Sequence, residues 1–151
     1  MDNEHSMMHA DPVVILLVED NPADVRLTQM ALKKGKIHNE LIIARDGEQA
    51  LDALHQRGNY QDTPRPEIIL LDLNLPKIGG LEILKEIKAK EHLKRIPVVV
   101  LTSSKAEEDI VRSYDLHANC YITKPVDFTQ FRQVINQLES FWFSIVRLSP
   151  Q

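Results

Sequence analysis

The sequence predicts an α/β fold: a doubly wound, five-stranded parallel sheet with helices on both faces. Three observations lead there. Short apolar runs such as Val13-Val14-Ile15-Leu16-Leu17-Val18 and Ile68-Ile69-Leu70-Leu71 are uninterrupted by polar residues, as in strands buried on both faces. Strand-like and helix-like patterns alternate five times, which calls for parallel strands joined by right-handed crossovers. Both runs end in carboxylates, Glu19-Asp20 and Asp72. Strand ends line the ligand crevice of an open parallel sheet, so acids there point to chemistry rather than packing.

Strands are expected at Val13–Glu19, Leu41–Arg45, Glu67–Leu73, Pro97–Thr102 and Cys120–Thr123, and helices at Ala23–Lys34, Glu48–Gln56, Leu81–Lys88, Glu107–Leu116 and Phe128–Phe143. Val25, Leu27, Met30, Ala31 and Leu32 stripe the first helix, and Asp20 or Asn21 can cap it. Asp46 can cap the second, with Gln49 as a capping-box partner. Ile83, Leu84 and Ile87 stripe the third. Asp127 can cap the fifth, where Phe131, Val134, Ile135 and Leu138 recur at helical spacing. Gly35, Gly58 and Pro64-Arg65-Pro66 punctuate the ends and loops.

The bulk numbers bound the function. A chain of 151 residues, 43% hydrophobic, makes one domain with a real core. It is expected over 12–146, with a flexible N-terminal tail at 1–11 and a short tail at 147–151. Eighteen Lys+Arg against twenty-two Asp+Glu give a formal charge of −4, which argues against nucleic acid as a partner. No apolar run approaches membrane-span length, and the first residues lack the basic-then-apolar order of a signal peptide. The single cysteine, Cys120, excludes an internal disulfide and sits in an apolar stretch. It reads as an inert core thiol in a reducing cytosol, hence a cytoplasmic protein.

Five βα units commonly adopt the flavodoxin-like order 2-1-3-4-5, which sets strands one and three side by side. Glu19, Asp20 and Asp72 then converge, with Thr102 and Lys124 at the exits of strands four and five along the same rim. Oxygen-only ligands suit a hard cation, Mg2+ or Mn2+. A carboxylate can also be a nucleophile that forms an aspartyl-phosphate. Phosphoryl transfer then requires charge neutralisation and in-line positioning. Lys124 offers a point charge and Thr102 a hydroxyl donor.

This set resembles the receiver domain of two-component response regulators, over about 13–143. The resemblance implies that Asp72 is the phosphoacceptor and that Glu19-Asp20 are the acidic pair holding the metal. It implies that Asn74 lends a backbone carbonyl to the metal and a side chain that tunes dephosphorylation. Thr102 and Lys124-Pro125 match the hydroxyl and the lysine, and Tyr121 matches an aromatic switch. Two departures stand out: Glu19 replaces the commoner aspartate, and Lys77-Ile78-Gly79-Gly80 replaces a commoner Met-Asp-Gly pattern. The segments Glu19-Asp20-Asn21-Pro22-Ala23-Asp24-Val25-Arg26, Asn119 to Asp127 and Phe141-Trp142-Phe143 look like the stand-alone regulators of bacterial phytochrome kinases.

Each assignment has a plainer competitor. Glu19 and Asp20 can serve only as helix caps, Thr102 only as an N-cap, Lys124 as a solvated lysine, and Tyr121 as a half-buried strand residue. The apolar segment Phe141, Trp142, Phe143, Ile145, Val146 and Leu148 either covers the core edge or forms a contact surface. The reading carried forward is a signalling protein, not an enzyme beyond its own phosphoryl transfer and dephosphorylation. A sensor histidine kinase, which the narrower likeness makes a phytochrome, phosphorylates Asp72. Thr102 and Tyr121 then move, and a downstream protein target reads the change. The chain is expected to contact neither nucleic acid nor membrane, and to form a homodimer through its C-terminal region. The alternatives are a haloacid-dehalogenase-like phosphatase, whose second aspartate Asn74 replaces, and an interaction module independent of phosphorylation.

Overall fold

The computed structural model describes residues 12–35, 38–75, 78–113, 118, 120–127, 129–134 and 136–137. Five strands, β1 (Val13–Val18), β2 (Asn39–Ala44), β3 (Ile68–Asp72), β4 (Val98–Thr102) and β5 (Cys120–Thr123), form one sheet in the order β2-β1-β3-β4-β5. All four pairings are parallel. The predicted order holds, and strand boundaries differ from the expected ones by at most two residues.

The connecting helices are α1 (Pro22–Lys34), α2 (Gly47–Leu54), α3 (Gly80–Ala89) and α4 (Lys105–Ser113), and residues 129–134 are also helical. The last turn expected for the fourth helix, the fifth helix beyond 137, both tails and the apolar C-terminal segment lie outside the described residues. The sequence reading did not anticipate the short 3-10 turn Gly58–Tyr60. It is fixed from a distance, because the Tyr60 hydroxyl donates to the Ile43 carbonyl at 3.0 Å.

Local chemistry sets the helix starts. Asn21, not Asp20, caps α1, its Oδ1 accepting the N–H groups of Ala23 and Asp24 at 2.8 and 3.1 Å. Asp46 caps α2 through the Gln49 N–H at 2.8 Å. The return bond expected of a capping box lands one residue early, with Gln49 Oε1 accepting the N–H of Arg45. Asp127 accepts the Gln130 N–H at 2.8 Å, as a cap for the helical stretch that follows.

Alternate residues of each central strand feed two cores. Leu16, Val18, Ile69, Leu71, Val98 and Val100 pack on one face with Ala50, Leu54, Ile83, Ile87 and Val111 of α2, α3 and α4. Ile15, Leu17, Leu70, Val99 and Leu101 pack on the other with Val25, Leu32, Phe131 and Val134. β3 and β4 are buried along their whole length, which explains why their sequences show no polar alternation. Burying a leucine or isoleucine is worth about 1.5–3 kcal/mol, so these strands anchor the sheet. Since α1 leaves β1 toward one face and α3 leaves β3 toward the other, the loops between them diverge. The crevice opens where β1 and β3 lie side by side.

Candidate functional site

Strand register assembles the site. Val18 pairs with Leu71, so the next residues in step, Glu19 and Asp72, emerge together. Leu101 pairs with Asp72, and Thr102 with Thr123, which brings Thr102 and Lys124 to the same rim. The N–H of Lys124 donates to the Thr102 carbonyl at 2.7 Å and fixes the root of its side chain. The Lys124–Pro125 peptide bond is cis.

Glu19, Asp72 and Thr102 are each about 1% exposed, an unusual depth for polar residues that no helix or sheet requires. Lys124 Nζ lies 3.2 Å from Glu19 Oε1, 3.1 Å from Asp72 Oδ2 and 3.1 Å from Asp24 Oδ2. Three ammonium hydrogens thus meet three carboxylates. The other oxygen of Asp72 accepts the N–H of Asn74 at 3.1 Å. Thr102 Oγ1 is buried and lacks a hydrogen-bond partner among the described residues. An orphaned hydroxyl beside a buried carboxylate is costly unless an incoming group uses it.

Electrostatics make the pocket cation-seeking. Burial, a hydrogen bond shared with Asp72 and repulsion from Asp72 raise Glu19, and Lys124 and the Asn21 N–H only partly offset them; its pKa rises to about 7. Burial works against the charge on Lys124, yet its hydrogen bonds to Asp72 and Asp24, with the charges of Asp72 and Glu19, hold it well above the ordinary lysine range. One oxygen from each of Glu19, Asp20 and Asp72 lies within 4.8 Å of the others, with Asp20 exposed at the mouth. Four acids against one lysine leave excess negative charge, and an all-oxygen donor set fits a hard divalent cation. The residues present therefore fit a metal ion at Glu19, Asp20 and Asp72.

The site residues expected from sequence, Glu19, Asp20, Asp72, Asn74, Thr102 and Lys124, come together. Tyr121 stands apart from this pocket. It is half-buried on β5, with the Arg112 guanidinium 4.7 Å above its ring. Cys120 is half-buried, its Sγ is 3.1 Å from Gln137 Oε1, and burial pushes its thiol up, which suits an unreactive role. Sequence reasoning missed two residues. Asp24 binds Lys124 from the first turn of α1, and its acidic position there was the only available signal. Glu107 reaches Asn74 Nδ2 at 2.7 Å, and the Ser104-x-x-Glu107 spacing could have marked it.

Residues 15–136 match the response regulator receiver domain family. The chain belongs to that family. It is a signalling protein, and the phosphatase alternative falls away. Response regulator Rcp1 of Synechocystis sp. (strain ATCC 27184 / PCC 6803 / Kazusa) is 54% identical over 137 residues, which covers 91% of this chain and 93% of Rcp1. The Mn(2+)-bound form of Rcp1 superposes with a TM-score of 0.70 at 55% identity, covering 87% of this chain and 94% of that one. The bacteriophytochrome response regulator AtBRR gives a TM-score of 0.80 at 49% identity, covering 86% and 94%. The phosphorylated cyanobacterial phytochrome response regulator RcpA gives 0.72 at 51%, covering 89% and 96%. This chain is thus related to phytochrome response regulators. Among the described residues, no helix is long and apolar enough to cross a membrane.

Proposed function

We propose that Asp72 accepts a phosphoryl group from a histidine kinase, with Mg2+ held by Glu19, Asp20, Asp72 and the backbone carbonyl of Asn74. The observation that carries this reading is the three-way contact of Lys124 with Glu19, Asp24 and Asp72 beside the unpartnered Thr102 hydroxyl. An Asp72 carboxylate oxygen attacks phosphorus, forming the acyl-phosphate bond. The donor's phosphorus–nitrogen bond breaks, and its electron pair stays on the imidazole nitrogen. A divalent ion supplies charge neutralisation for the transferring oxygens. Lys124 follows the charge as it moves outward from Asp72, while Asp24 and Glu19 limit its swing. Thr102 Oγ1 donates to a phosphoryl oxygen and gains the partner it lacks. Asn74 tunes hydrolysis of the acyl phosphate.

The kinship with phytochrome regulators supports a phytochrome kinase as donor. The packed Arg112–Tyr121 pair supports Tyr121 as the element that moves with Thr102, altering the α4–β5 surface that a downstream protein reads. A cytoplasmic location and a homodimer through the C-terminal segment complete the reading; that segment lies outside the described residues. Asp72→Asn should abolish base-labile phosphate uptake from phosphoramidate with Mg2+. Undiminished labelling of that variant would refute the assignment, and normal partner binding by it would favour a phosphorylation-independent module.

A further inference from the structure

α4 starts with a serine cap, because the N–H of Glu107 donates to Ser104 Oγ at 3.3 Å. In a capping box the carboxylate three residues on returns to the cap residue's own N–H. Glu107 does something else. Its Oε1 accepts the N–H of Ser103, one residue further back, at 2.7 Å. Its Oε2 accepts Nδ2 of Asn74, from the loop after β3, also at 2.7 Å. Both bonds are short and charge-assisted. A capping role accounts for neither the Ser103 register nor the reach across to Asn74.

These two donors flank the phosphoacceptor. The Asn74 backbone N–H already holds Asp72 Oδ1. Ser103 directly follows Thr102, whose buried hydroxyl has no hydrogen-bond partner among the described residues, and the neighbouring Leu101 pairs with Asp72 in the sheet. A half-buried carboxylate therefore spans the gap between the β3 and β4 exits. A phosphoryl group on Asp72 would bring roughly two negative charges and three acceptor oxygens to this gap. It would meet a negative group that already holds the Ser103 N–H.

We propose that Glu107 is an internal competitor of the phosphoryl group. It holds Asn74 and the Ser103 N–H in the unphosphorylated protein and must leave before an incoming group on Asp72 is fully bound. Glu107 is thus a positioning residue that sets how far phosphorylation proceeds, and its release ties the β3 loop to movement of α4. The inference rests on Asp72 being the acceptor.

The sign of the effect separates this role from a structural one. Losing a cap should weaken everything, whereas losing a competitor should strengthen binding of a phosphoryl stand-in. The probe is beryllofluoride with Mg2+, titrated against the full chain. Glu107→Gln and Glu107→Ala are each expected to bind it at least fivefold more tightly. Glu108→Gln removes the same charge from the same helix turn, but its carboxylate faces Lys105 and Arg112, so wild-type affinity is expected. Equal or weaker binding by both Glu107 variants, or an equal gain in Glu108→Gln, overturns the proposal. In the wild-type protein, the coupling across the Ser103 N–H···Glu107 hydrogen bond, read by NMR, should vanish when beryllofluoride and Mg2+ are added. Its persistence overturns the proposal independently of any variant. If wild-type protein neither binds beryllofluoride nor takes phosphate from phosphoramidate, the Asp72 assignment itself has failed. If it does both and the Glu107 variants show no gain, only the competitor role has failed.

Discussion

Lowering the pH from 8 to 6 should weaken divalent-cation binding about tenfold, because the cation must displace a proton from Glu19. That carboxyl is raised from its ordinary 4.5 to about 7 by burial first and by Asp72 next. At pH 8 it is roughly nine-tenths ionised and at pH 6 roughly one-tenth, so apparent affinity falls about tenfold, about 1.4 kcal/mol. Without metal, the unfolded chain releases this proton at lower pH than the folded one. The contribution of Glu19 to stability is therefore fully present below pH 4.5, is lost between pH 4.5 and about 7, where only the folded chain keeps the proton, and is absent above that. A bound cation reverses this penalty by favouring the carboxylate. Calorimetric titration of Mg2+ in buffers of different ionisation heat measures both affinity and protons released. At pH 6 release should approach one proton per ion, and Glu19→Gln should flatten the profile between pH 6 and 8. Wild-type affinity independent of pH over that range, or an unchanged slope in Glu19→Gln, would refute the reasoning.

Lys124→Ala should destabilise the metal-free protein by about 3 kcal/mol, because Glu19 and Asp72 lose their buried cation; urea melts should show most of this loss recovered by saturating Mg2+. Gly80→Ala should cost about 1–3 kcal/mol. A Cβ there would collide with the Asp72 carbonyl and sit 2.6 Å from Leu73 Cα, so the backbone at Asp72 must move. Weaker Mg2+ binding should accompany its lower melting temperature. Asn21→Ala should cost about 1 kcal/mol by removing the α1 cap, a loss measurable by denaturant titration.

Much of this site was legible in the chain. Val13–Val18 and Ile68–Asp72 are so apolar that their terminal acids had to be explained by function, and alternation of strand and helix patterns fixed which ends share a rim. The helix caps at Asp46 and Asp127 were readable because they act within a few residues. The choice stayed open where local options were equivalent: Asp20 and Asn21 could both cap α1, and only the fold turned Asn21 inward to the N–H groups and left Asp20 exposed. Tyr60 gave no sign of its bond to Ile43, since a hydroxyl carries no sequence period that marks a distant partner.

By itself, the sequence determined the layered architecture, the parallel order and the identity of the acids, threonine and lysine at the strand exits. Hydrophobic periodicity marks the elements locally, and the common arrangement of five βα units supplies their order. Only tertiary structure decided that Asp24 shares Lys124 with Glu19 and Asp72, that Thr102 Oγ1 lies buried without a partner among the described residues, and that Glu107 bridges Ser103 and Asn74. These contacts depend on how far one helix start is turned toward another strand's loop. That angle comes from the packing of two cores against one sheet, and no short stretch of residues encodes it.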